Sequence, residues 1–167
     1  MRLIAAVALW TCAIAGLARA QGTRPAPAHG HHDSAFAAMQ ERGRIAMGVD
    51  QYASTHHFDA LSDGGRIELL RDDGDSVDVA RIRAHMREIA RAFAEGNFST
   101  PAAVHLRQVP GADVMAARRA LIRYEAHDLP RGAELRIRTR DPAALAAIHR
   151  FMAFQRSEHR ATGVVTP

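Results

Sequence analysis

The sequence predicts an α+β fold: a two-layer sandwich with a mostly antiparallel sheet of four or five strands and helices on one face. Three observations carry this. Residues 64–93 and 132–159 read as two copies of one pattern, a strand, a capped turn and a helix. Each copy follows another strand across a hairpin joint, so the repeated unit is strand–strand–helix. The charged residues of all four strands fall on one face, which leaves that face to solvent and the other to the helices.

The chain opens with Arg2, an apolar run from Leu3 to about Leu17, and Ala18-Arg19-Ala20. This is the pattern of a secretory signal peptide, with an apolar core too short to span a bilayer and an A-x-A cleavage site. Cleavage after Ala20 would leave 147 of the 167 residues, enough for one domain with a core. The expected location is periplasmic or secreted. Cys12 lies inside the leader and is the only cysteine, so the mature chain would have no disulfide, thiolate ligand or cysteine nucleophile. All 22 basic residues are arginine, and loss of Arg2 and Arg19 lowers the net charge from +4 to +2. So small an excess argues against nucleic acid as a partner. No later stretch is long and apolar enough for a transmembrane helix.

Residues 21–32 (QGTRPAPAHGHH) read as a flexible, histidine-rich linker. A single α+β domain is expected over 33–160, with units at about 53–96 and 121–160, and a tail at 161–167. A first helix from Asp33 to about Ala46 is marked by Phe36, Met39 and Met47, and Gly43 weakens it by roughly 1 kcal/mol relative to alanine. THHFDAL (55–61) and the stretch around Ile67 and Leu69 form the first hairpin, joined through Ser62-Asp63-Gly64-Gly65. Asp75 or Ser76 caps a helix whose stripe is Val79, Ile82, Met86, Ile89 and Phe93, and Gly96 stops it. In the connector, Val104 and Leu106 suggest a short edge strand, Pro110-Gly111 a turn, and 112–121 a short helix. IRYEAH (122–127) and Leu135 with Ile137 form the second hairpin. Asp141 caps the last helix with Pro142 at its first position, and Leu145, Ile148 and Met152 line it. Thr55, His57, Asp59, Arg66, Glu68, Arg123, Glu125, His127, Glu134, Arg136 and Arg138 make up the expected outer face. It displays none of the aromatics by which an RNA-binding sheet stacks bases.

The stretch from Met47 to His159 resembles a family of small exported bacterial proteins with no established activity. The strings that carry the resemblance are MGVDQ (47–51), GGRIEL (64–69), IRAHMREIA (82–90), VPG (109–111), VMAARR (114–119), IRY (122–124) and AIHRFMAFQRSEH (147–159). The resemblance implies export and a shared fold, and none of the strings is a catalytic signature.

The functional lead is histidine. Superposing the hairpins pairs His56 with Tyr124, and superposing the helices pairs His85 with His149. His56 faces the helices and His57 the solvent, because neighbours on a strand point oppositely. If the two helices lie side by side, His56, His85 and His149 converge, with Met152 as a possible fourth ligand. Imidazole with thioether sulfur suits copper, and imidazole alone suits zinc. A second candidate is the linker cluster His29, His31 and His32. His159 stands about 15 Å from His149 along the helix, too far to share a metal, and is expected to favour the C-terminal dipole. The plain alternative is that these histidines pack and hydrogen-bond inside a structural or protein-interaction module with an exported partner. No serine sits in a nucleophile elbow, so an enzyme is the less favoured class. A hydrolase would need a deep pocket at the junction of the units, with a histidine beside a carboxylate.

Overall fold

A computed structural model describes residues 29–166, with side chains described from Asp33 onward. The expected leader, its cleavage site and residues 21–28 of the expected linker lie outside the described residues. Helix α1 spans His29–Met47 and thus begins four residues before the expected cap at Asp33. A 3-10 turn at Gln51–Ala53, capped by the Asp50 carboxylate accepting from Tyr52 N–H, leads into β1, Ser54–Leu61. The chain continues through β2 (Gly64–Arg71), α2 (Ser76–Ala94), α3 (Ser99–His105), α4 (Ala112–Ala117), β3 (Ile122–Leu129), β4 (Gly132–Thr139) and α5 (Pro142–Glu158). The sheet is antiparallel with order β1-β2-β4-β3, and the helices cover one face of it.

The repeat is physical. Equivalent strands of the two hairpins start at 54 and 122, and at 64 and 132, a constant spacing of 68 residues. In the central ladder Ile67 faces Leu135, and these two are repeat equivalents. A local two-fold axis therefore passes between them. The helices obey the same symmetry in a crossed manner, α2 lying over β3 and β4 and α5 over β1 and β2. Each helix covers the other unit's hairpin.

The caps form as the sequence predicts. The Asp75 carboxylate accepts from Val77 and Asp78 N–H, and that of Asp141 from Ala144 N–H. The caps are 66 residues apart, not 68, because three residues (72–74) separate β2 from its cap where Arg140 alone follows β4. With this spacing Ile82 matches Ile148 and Met86 matches Met152, all four buried. His149 then matches Arg83, and the expected pairing of His85 with His149 is out by two residues. Contacts agree: Arg83 reaches the Leu129 carbonyl, and His149 Nε2 lies 2.9 Å from the Leu61 carbonyl, where Leu61 and Leu129 are equivalents.

Three other expectations change. The edge strand at Val104 and Leu106 is instead the end of α3, closed by Leu106 in the left-handed region at φ 53°. Two apolar residues two apart were too short a run to distinguish strand from helix. Asp59 sits on the outer face but is 2 % exposed. Arg66 binds it at 2.6 Å, and Val164 N–H donates to it at 2.7 Å. The donor comes from the tail, which runs beside β1: Phe58 N–H donates to the Thr162 carbonyl and Ala60 N–H to that of Val164. Gly43, expected only to weaken α1, makes room for a neighbour: a Cβ there would stand 3.0 Å from Gln51 Oε1.

Candidate metal centre

Under α1 and α3 lies a cavity of about 100 Å³, walled mainly by core side chains such as Phe58, Leu69, Ile89, Phe93 and Phe151. Four histidines also line it: His56 from β1, His85 from α2, His105 from the end of α3 and His159 just past α5. Met47 and Met86 also line it. His159 stands between two of the imidazoles, its ring centroid 5.3 Å from that of His56 and 5.1 Å from that of His105. The first contact is stacked and the second edge-on.

Of the residues proposed from sequence, His56 and His85 reach this cavity, while His149 and Met152 do not line it. His149 is held by the Leu61 carbonyl at the far end of β1. Met152 is fully buried above Gly65, where a Cβ would approach its Cε to 2.7 Å. The backbones of His29, His31 and His32 belong to the first turn of α1. His105 and His159 are the residues that sequence reasoning missed, one assigned to an edge strand and the other to a helix dipole. A signal for His159 existed. With the helices aligned on their shared isoleucine and methionine, His159 falls on Phe93 and Gln155 on Ile89, while His56 falls on Tyr124 in the hairpins. On one side of the two-fold axis Phe93 of α2 meets Tyr124 of β3 edge-on at 5.9 Å. On the other side the same place holds two imidazoles, His159 and His56. The fold fills this position with apolar rings in one half, so the fold itself does not require histidine there.

The imidazoles are neutral near pH 7. Burial, reinforced by the neighbouring His57, pushes His56 down to about 4. Burial, with His56 and His105 nearby, brings His159 to about 3. Burial also lowers His85 and His105. One tautomer is set by a carbonyl partner. The side chain of His105 is 1 % exposed, and its Nε2 donates to Gln155 Oε1 at 3.0 Å, which leaves the lone pair on Nδ1. The Ser54 backbone stabilises a proton on the His56 ring. Nε2 of that ring is buried without a hydrogen-bond partner among the described residues. His159 Nδ1 is likewise buried with no hydrogen-bond partner among the described residues. Metal-binding histidines are commonly prepared in this way, the second nitrogen donating to a carbonyl or carboxylate. Glu158 stands 3.9 Å from His105 Nδ1, beyond hydrogen-bond reach, and is paired with Arg107 at 2.8 Å.

Among the described residues no three His, Cys, Asp or Glu side chains already stand together at metal-holding distance. No helix among them is long and apolar enough to cross a membrane. No protein-family model, curated protein or solved structure matches the chain.

Proposed function

We propose that this is a small exported protein that binds a transition metal, copper in preference to zinc, through core histidines. The ligands are His56 Nε2, His105 Nδ1 and His159 Nδ1. The observation that carries the reading is that these three nitrogens are buried and without hydrogen-bond partners among the described residues, and that the Gln155 carbonyl on Nε2 of His105 leaves the lone pair on its Nδ1. Copper is preferred because divalent copper outranks zinc at nitrogen sites, and because Met47 and Met86 line the same cavity. Closing the rings on one ion requires His159 to turn, and it sits at a helix end followed by a left-handed residue, Arg160 at φ 50°. Storage, delivery and sensing are the roles that fit a small buried site.

The test is the metal content and visible absorption of residues 21–167 and of a version lacking 21–32. Near one equivalent of copper in both forms is expected. The triple variant His56→Tyr/Gln155→Ile/His159→Phe, which copies the apolar half of the repeat, should fold and retain none. Metal only in the longer form would assign binding to His29, His31 and His32. No metal in either form after incubation with copper and with zinc would end the reading. The stacking of His56 on His159 favours, as a second reading, a structural or protein-interaction module in which the imidazoles only pack. That reading predicts no metal and an unknown exported partner.

A further inference from the structure

The sheet has two edges, β1 and β3, and the chain treats them differently. The tail closes β1: Phe58 N–H donates to the Thr162 carbonyl, Ala60 N–H to that of Val164, and Thr166 N–H to that of Ala60. β3 is the repeat equivalent of β1 and keeps the same register with its neighbour, Leu129 facing Gly132 as Leu61 faces Gly64. Phe58 and Ala60 turn their backbone groups away from β2. Their equivalents Ala126 and Asp128 therefore turn theirs away from β4, and alternation adds Tyr124 and Ile122. Ile122 N–H is already taken by the Arg119 carbonyl. The outward backbone groups of Tyr124, Ala126 and Asp128 have no backbone partner among the described residues. Residues 58–60 of β1 are buried, whereas Ala126 is half-buried and His127 and Asp128 are exposed. The open edge is straight: β3 pairs with β4 through all its residues without a bulge, and it contains no proline or glycine. Such an edge is a template for another strand.

We propose that the β3 edge pairs antiparallel with the β3 edge of a second copy of this chain, joining the two sheets into one. The second copy is the occupant because the edge is complementary to itself about Ala126. With the two-fold axis there, Ala126 faces Ala126 of the second copy and Tyr124 faces Asp128, so all three unpaired residues find partners. Glu125 then stands opposite His127 of the second copy, and the symmetry makes this pair twice. Moving the axis one residue, to Glu125, sets two carboxylates directly against each other, which is destabilising. Moving it to Tyr124 calls on Ile122, whose N–H is spent within its own chain. A pairing of this kind closes on itself, so it stops at a dimer instead of growing into a fibre. It goes beyond the metal reading and does not depend on it, because the cavity histidines take no part.

The experiment measures the mass of metal-free residues 21–167 by analytical ultracentrifugation over a range of concentrations, with Ala126→Pro, His127→Glu and His127→Arg alongside. The wild-type protein should reach a dimer. Ala126→Pro should be monomeric with unchanged circular dichroism, since its lost N–H points away from β4. His127→Glu should weaken the dimer about tenfold, as two favourable pairs become two repulsive ones, and His127→Arg should tighten it. A wild-type monomer at every concentration overturns the proposal and leaves the edge to a strand of another protein. A dimer that neither Ala126→Pro nor His127→Glu weakens places the contact elsewhere and overturns it too. Should Ala126→Pro fail to fold, hydrogen exchange in the wild type decides: the Tyr124, Ala126 and Asp128 amides should gain protection as concentration rises, with Phe58 and Ala60 unchanged, and equal protection at all concentrations overturns the proposal.

Discussion

The imidazoles tie stability to pH at the level of single residues. His56 and His159 are held below the ordinary histidine value by burial. The unfolded chain therefore binds more protons than the fold once pH drops below about 6.5, and stability falls with pH. The contribution is fully present above about 6.5 and is lost as pH falls towards the folded values of about 4 and 3. At 1.36 kcal/mol per unit, His56 alone accounts for about 3 kcal/mol. Urea midpoints of the metal-free protein should drop between pH 6.5 and 4. The triple variant that replaces His56 and His159 should show a flatter profile, and an equal slope in both proteins would contradict the account. His149 belongs to a different argument. It occupies the place that Arg83 takes in the other unit and braces a strand end, so His149→Ala should lower stability by about 1 kcal/mol and leave metal content unchanged.

The elements meet at backbone positions that admit no side chain. Gly111 caps α4 at φ 88°, and a Cβ there would run into the Ala147 carbonyl of α5. Gly111→Ala should cost about 2 kcal/mol or more, through strain and separation of the two helices, read from thermal unfolding. The tail is docked by a similar close approach. A Cβ at Gly163 would collide with the Phe58 carbonyl, which Arg156 also binds at 2.7 Å. Gly163→Val should release the tail from β1. Faster hydrogen exchange at the Phe58 and Ala60 amides, with the rest of the sheet unchanged, is the expected signature. Releasing the tail also uncovers Asp59, so the pair with Arg66 becomes a surface pair of small value. Much at this scale was legible in sequence. Period-two alternation, Asp75, Asp141-Pro142 and Gly96 marked the strands and helix ends because each is a local requirement of backbone geometry. The connector was not, because Val104 and Leu106 are too few to define a period.

For the whole molecule, the crossed helices make folding a single event. With α2 over the second hairpin and α5 over the first, neither half can cover its own sheet. Residues 33–96 and 97–167 expressed separately should each lack cooperative unfolding, and mixing them should restore helical circular dichroism. Independent folding of either half would contradict the crossed packing. The same arrangement places the buried histidine pair. Because α5 lies over β1, His159 at its end meets His56. The two-fold equivalent of that meeting is Phe93 with Tyr124, which completes an aromatic core with Phe98 and Phe151.

By itself the sequence determined the fold class, the two hairpins and the capped helices, because periodicity and capping are local and survive without contacts. Which histidines meet was decided only by the tertiary structure. A connector two residues longer in the first unit shifts the helix register by half a turn, and the crossing of α2 and α5 exchanges their partners. Together they set His149 against a strand end and bring His159 to His56.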